Sequence, residues 1–237
     1  ESDGVMIARG DMGVEIAFEK LPKIQKDMIA LANKYGKYTI TATQMLESMV
    51  ENVRPTRAEI TDIANAIYDG TCALMLSGET SAGEHPVLAV KTMQKIATEA
   101  ESTVDYENNF SKCVPLHNVT CGVGYAACSL ANTLEAKAIL VTTTTGFSAQ
   151  SISRFRPGCD IIALTPYIDV YFTLGMFWGV TALLDKMCYD TDELLKSARI
   201  RAKQAKCVKS GDMVIQTAGI MTGVTGSNML VVSEIEE

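Results

Sequence analysis

Along this chain the hydrophobic positions switch between two spacings, and the switch repeats. Short apolar runs at Val5 to Ala8, Tyr38 to Ala42 and Ala73 to Leu76 read as buried parallel strands. Between the first two, Leu21, Ile24, Met28, Leu31 and Ala32 fall at helical spacing in a stretch from about Lys20 to Tyr35, which Gly36 stops. Between the next two, Ile60, Ile63, Ala64 and Ile67 predict a helix over Glu59 to Asp69, ended by Gly70. His85-Pro86 opens another helix, with proline at a favoured first-turn position. Asp11, Thr43 and Ser77, just past the three strands, lie 32 and 34 residues apart, one βα unit per interval. Polar side chains at the same phase of successive units suit the rim of a βα barrel, and three units suit an open sheet equally. An eight-stranded barrel needs roughly 250 residues, so this third of the chain supplies well under half of one.

The pattern breaks around Glu101 to Asn118, a polar stretch with a proline and no periodicity. It predicts a first domain over 1–104, a linker over 105–118 and a second domain over 119–237. The second domain alternates again. Helices are expected near Thr120 to Thr133, Ala149 to Arg154, up to Phe177, and over Asp192 to Lys206. Strands are expected at Ala138 to Val141, Ile161 to Leu164, Val180 to Leu183, Met213 to Gln216 and Met229 to Ser233, a self-contained sheet of about five.

With 237 residues, 47% of them hydrophobic, the chain can bury a sizeable core. No apolar run approaches a membrane span, and the opening ESDG lacks the pattern of a secretory signal, so the expected location is cytoplasmic. Seven cysteines without a C-x-x-C pair fit reduced thiols better than a disulfide framework. With only two histidines, a divalent cation would rest on oxygen ligands, which favours magnesium or manganese. The net charge of −7 argues against nucleic acid. The six cations of residues 196–209 fall on several sides of a helix and read as a solvated face.

Candidate chemistry gathers at the strand ends. Arg9, Gly10, Asp11 and Gly13 predict a tight turn carrying a cation and a carboxylate. Asp11 suits a hard cation that keeps part of its water shell, and equally suits capping of the next helix. Thr43 has a hydroxyl placed for a rim site or a helix cap. Ser77 and Glu79 pair a hydroxyl with a carboxylate that could pass a proton through water. In VTTTTGFSAQ, strand 138–141 runs into four threonines, Gly146 and Ser148, more hydroxyls than one cap needs, which favours phosphate. The stretch TAGIMTGVTGSN, residues 217–228, lacks the Gly-Lys-Ser/Thr of a P-loop and suits a covering loop or a plain connection. Trp178 is expected in the core.

Together, MIARGDMGVE, TATQMLESM followed by RPTRAE, LMLSGETSAGEHP and SRFRPGCDIIALT resemble signatures of the pyruvate kinase family, in the family's order and across essentially the whole chain. The resemblance implies an α/β fold: an incomplete TIM-type βα barrel, its sixth to eighth strands, followed by a separate three-layer α/β C-terminal domain. It implies that Glu1 is an interior residue of a longer protein. By position, Asp11 matches the ligand of the divalent cation that holds phosphoenolpyruvate. Gly10 with Asp11 matches the backbone meeting the substrate carboxylate, and Thr43 matches a substrate-contacting threonine that helps protonate the enolate. Ser77 matches a hydroxyl in the same proton path.

The implied reaction is phosphoryl transfer from phosphoenolpyruvate to ADP, with Mg2+ or Mn2+ and with K+ as a further cation. Thr143, Thr144, Thr145, Gly146 and Ser148 match the sugar-phosphate effector pocket of regulated members, and Gly223 to Ser227 its covering loop. Thr144 stands where some relatives carry a lysine, and the covering loop has no arginine. Arg54 and Arg57 of RPTRAE match a subunit interface, implying a homotetramer for the full protein. The family's second acidic metal ligand, its lysine, its monovalent-cation ligands and most of its nucleotide-binding residues have no counterpart here, so this chain alone is expected to be inactive. A phosphometabolite-binding module without chemistry is the main rival; a metal-dependent barrel lyase is disfavoured by the two-domain layout.

Overall fold

The computed structural model describes residues 2–219 and 226–236, which fold as two compact units, Glu1–Val104 and Asp105–Glu237. No helix among the described residues is long and apolar enough to cross a membrane.

In the first unit, β1 (Gly4–Ala8), β2 (Tyr38–Ala42) and β3 (Ala73–Met75) form a parallel sheet in sequence order. Gly4 pairs with Tyr38, and a Cβ on Gly4 would stand 2.2 Å from the Tyr38 ring, so any other residue there would require the ring to move. Ile7, Thr39 and Thr41 are buried on one face, where the Thr41 hydroxyl donates to that of Thr71 at 3.0 Å. On the other face Met6 is 51% exposed, and Ile40 and Met75 are partly exposed.

The strands are connected by α1 (Arg9–Glu15), α2 (Leu21–Lys34) and α3 (Arg57–Tyr68), and the single-turn α4 (Gly78–Ser81) and α5 (Pro86–Ser102) follow β3. In α2 the buried stripe is Gln25, Ile29 and Ala32, and Leu31, expected on that stripe, is 58% exposed. Successive residues of a helix turn by about 100°, so burial of Ala32 directs its neighbour away. Met45, Leu46, Met49, Ile63, Ala66, Ala89 and Met93 form the core of this unit, with Leu74 and Leu76 packed against it.

The stretch expected to be a linker is folded. Asp105 caps α6 (Tyr106–Ser111) by accepting from the Asn108 N–H at 2.9 Å. Phe110 stacks on Tyr125 with ring centroids 4.8 Å apart and meets Phe155 edge-on. The segment lacks periodicity because two aromatic contacts, rather than an amphipathic stripe, hold it.

The remaining elements are α7 (Val119–Thr133), β4 (Ala138–Thr142), α8 (Phe147–Ser153), β5 (Asp160–Thr165), α9 (Ile168–Leu174), β6 (Val180–Leu184), α10 (Thr191–Gln204), β7 (Met213–Ala218) and β8 (Met229–Glu234). The strands order as β6-β5-β4-β7-β8, all parallel except β8, which runs antiparallel to β7. Ile139 and Val141 of β4 enter a core with Cys128, Ile152 and Phe155, while Ala138 and Leu140 enter a second core with Ala198 and Ala202 of α10. Burial on both faces explains why β4 reads as an unbroken apolar run. Trp178, expected in the core, is only partly buried, with its ring 5.0 Å from the Arg156 guanidinium and 5.7 Å from the Tyr106 ring.

Candidate active site

Because β1, β2 and β3 are parallel and in register, their C-terminal ends share one edge, and Asp11, Thr43 and Ser77 all follow that edge. The chain leaves β1 differently from the expected tight turn. Residues 9–15 form α1, with Asp11 exposed in its first turn and neither Gly10 nor Gly13 at positive φ. The Gly10 N–H donates to the Thr43 hydroxyl at 2.9 Å, which in turn donates to the Ala42 carbonyl at 2.6 Å. Thr43 therefore caps no following helix; its hydroxyl bridges the ends of β1 and β2.

Two consecutive residues at the end of β2, Thr43 and Gln44, have φ of 68° and 54°, in the left-handed region that L residues rarely occupy. Arg9 reaches across to them. Its Nε and Nη2 donate to the Thr43 carbonyl at 3.2 and 2.6 Å, and Nη2 also meets the Gln44 carbonyl at 3.1 Å. Its Nη1 pairs with the Asp62 carboxylate of α3 at 2.5 Å.

Glu79 is completely buried at the end of β3. One carboxylate oxygen accepts from the Leu46 N–H at 3.0 Å and the other from the Ser77 N–H at 2.7 Å. The side chain thus ties the segment after β2 to Ser77 beyond β3, with both of its oxygens engaged by backbone amides. Ser77 is the N-cap residue of α4 without a side-chain cap bond.

RPTRAE opens α3 with a reciprocal capping box: Glu59 N–H donates to the Thr56 hydroxyl, and the Thr56 N–H donates to the Glu59 carboxylate. Ser48 adds its N–H and hydroxyl to the same carboxylate at 2.7 and 2.6 Å. Partial burial raises the affinity of Glu59 for a proton, but the bonds from Ser48 and Thr56 outweigh it and hold the carboxyl below its ordinary 4.5. Arg54 and Arg57 are exposed beside this cap.

In the second unit, the threonine run follows β4. The Thr143 hydroxyl accepts from the Gly146 N–H at 2.9 Å and that of Thr145 from the Phe147 N–H at 3.4 Å, so both serve the turn into α8. Ser148 is buried and Thr144 exposed. Thr217, at the neighbouring end of β7, and Ser227 carry buried hydroxyl oxygens with no hydrogen-bond partner among the described residues. Gly226, at φ 108°, lies so close to Thr120 that a Cβ would meet its hydroxyl oxygen at 2.2 Å. Of the expected covering loop, Gly223 to Thr225 lie outside the described residues.

Among the described residues no cluster of three or more histidine, cysteine, aspartate or glutamate side chains is arranged to hold a metal. Asp11 carries an exposed carboxylate, a donor of the type that suits a magnesium ion keeping several waters and taking one or two protein carboxylates.

The Arg9 clamp and the burial of Glu79 escape a sequence reading, since neither reach nor burial is encoded in local spacing. Asp11, Thr43 and Ser77 are legible because the βα period brings them to one edge.

A family model described as pyruvate kinase, barrel domain, matches residues 1–90, and one described as pyruvate kinase, alpha/beta domain, matches residues 122–233. Among curated proteins, a pyruvate kinase of Clostridium acetobutylicum is 47% identical over 99% of this chain and 50% of its own length. One from Staphylococcus aureus is 49% identical over 97% of this chain and 40% of its own. The crystal structure of a pyruvate kinase from Cryptosporidium parvum superposes with a TM-score of 0.92 at 38% identity, covering 99% of this chain and 47% of that one. The chain thus spans at most about half the length of these relatives. With both of its units matched by the family's own domains, the chain belongs to the pyruvate kinase family.

Proposed function

We propose that this chain contributes part of the active site and the C-terminal α/β domain of an enzyme that transfers phosphoryl from phosphoenolpyruvate to ADP, giving pyruvate and ATP in the cytoplasm. One arrangement carries the reading: Asp11, Thr43 and Ser77 follow the C-terminal ends of three adjacent parallel strands, with the Gly10 amide on the Thr43 hydroxyl. In this reading β1, β2 and β3 are the sixth to eighth strands of a barrel. The partly exposed Met6, Ile40 and Met75 then face the interior that the other strands would complete.

Phosphoryl transfer depends on positioning and charge neutralisation more than on a covalent nucleophile. Asp11 would hold Mg2+ or Mn2+, which when bound neutralises charge on the phosphoryl and enolate oxygens. Gly10 and Asp11 present the first turn of α1 to the substrate carboxylate. Thr43 supplies a proton to the enolate carbon; to do so its hydroxyl must leave the Ala42 carbonyl on which it now rests. Ser77 passes protons behind it. A lysine and a second acid from outside this chain complete the site, so this chain alone is inactive, and K+ sites lie outside it too.

We further propose that the threonine turn at 143–148 takes the phosphate of a sugar-phosphate or nucleotide effector, and that the full protein is a homotetramer with Arg54 and Arg57 near an interface. The hydroxyls of Thr217 and Ser227, without a partner among the described residues, favour a polar ligand in the second unit, which is also what a non-catalytic phosphometabolite-binding module would need.

The test is the intact mass of the source polypeptide together with ADP-dependent pyruvate formation in magnesium on the same sample. A polypeptide about twice this mass, losing about 10³-fold activity on Asp11→Ala, is the expected result. Turnover by this chain alone would refute the need for the missing half. Absence of turnover in the longer polypeptide would leave the binding module.

A further inference from the structure

We infer that Arg9 and Asp62 form a positioning pair that sets the geometry of Thr43; for its catalytic consequence this rests on the function proposed above. A β-branched residue in left-handed backbone is unfavourable, and here it is followed by a second left-handed residue without a glycine in either place. Such a conformation persists only where the surroundings over-determine it.

Arg9 is what does so. Its side chain is only 13% exposed, and its guanidinium spends three donors on other elements: two reach the Thr43 carbonyl, one of these also reaches the Gln44 carbonyl, and the third is held by Asp62. The planar fork matches acceptors fixed on two sides, which an ammonium on a flexible stem does not. Asp62 sits on α3, so the orientation of the guanidinium is tied to a capped helix and not to the strand end it grips.

The next residue completes the device. Gly10 donates its N–H to the Thr43 hydroxyl, so consecutive residues of α1 fix first the backbone and then the side chain of Thr43. Arg9 touches Thr43 through main-chain carbonyls alone, which makes it a positioning residue and leaves the chemistry to the groups named above.

The experiment uses the full-length polypeptide with Arg9→Ala, Arg9→Lys, Asp62→Asn, Gln44→Gly and the double variant Arg9→Lys/Gln44→Gly. Arg9→Ala is expected to lower kcat on the order of 100-fold with KM for phosphoenolpyruvate within about threefold, because misplacement of about 1 Å is enough for such a loss. Arg9→Lys and Asp62→Asn fall between. Glycine adopts the left-handed conformation freely, so Gln44→Gly should restore about tenfold of the kcat lost in Arg9→Lys. A general loss of folded protein would show no such pairwise rescue.

Wild-type turnover with an unchanged kcat in Arg9→Ala would overturn the pair and leave the proposed function standing. If the wild type lacks turnover, the function fails, and melting temperatures decide the pair: Arg9→Lys must cost less in the Gln44→Gly background than in the wild type. Equal costs in both backgrounds overturn it.

Discussion

Removing the buried carboxylate of Glu79 tests whether the edge of the β1-β2-β3 sheet is held from beneath by one side chain. Glu79 has no exposed surface, and its two oxygens accept separately from Leu46 and Ser77 at 3.0 and 2.7 Å. Glutamine at this position keeps the shape but offers one carbonyl oxygen and one NH2, so one N–H donor is left facing another donor. A buried donor without an acceptor costs about 1–3 kcal/mol, which sets the expected loss for Glu79→Gln. Glu79→Ala orphans both amides, about 2–6 kcal/mol before any water fills the space. In a domain of about 100 residues each kcal/mol moves the melting temperature by roughly 4–8 °C. The first unit has that size, so Glu79→Gln should melt it roughly 4–24 °C lower. With two units in the chain a single transition is not assured, so amide exchange at Leu46 and Ser77 supplies the local readout. A glutamine variant melting within about 2 °C of wild type, with both amides as protected as before, would refute the reasoning.

Three other groups give independent tests. Glu59 binds its proton less tightly in the folded chain than its ordinary 4.5, so its contribution is complete above that pH and is lost as pH falls through the lower folded value. Urea midpoints measured from pH 6 to pH 3 should therefore fall less steeply in Glu59→Gln than in wild type, and parallel curves would exclude the carboxylate as the source. Burial pushes the Cys128 thiol well above the usual range, with neighbouring thiols adding to the shift, and burial with the nearby Asp160 pushes Cys159 up to about 11. Both should resist alkylation at pH 8 in the folded protein and react on unfolding in urea; mass mapping showing equal rates in the two states would contradict this.

The sequence by itself determined the order and type of the major elements, because apolar period and capping residues are local properties. β4 reads as a buried strand since both its faces are covered, and α3 is legible from the spacing of Ile60, Ile63, Ala64 and Ile67, although it begins at Arg57, two residues before the predicted Glu59. The family was legible too, in motifs at the strand ends whose similar spacing follows from one βα unit each. Only the tertiary structure decided the rest. Spacing cannot tell that Ala32 rather than Leu31 turns inward, because both lie near the edge of the same apolar stripe and the packing partner selects between them. A polar stretch such as 105–118 looks like a linker until Phe110 meets Tyr125 and Phe155. The left-handed pair Thr43-Gln44 has no local signature, since neither residue prefers that backbone, and an arginine 34 residues earlier in the chain holds it. Local preferences act over a few residues, whereas the site geometry is fixed by groups that only folding brings within hydrogen-bonding distance.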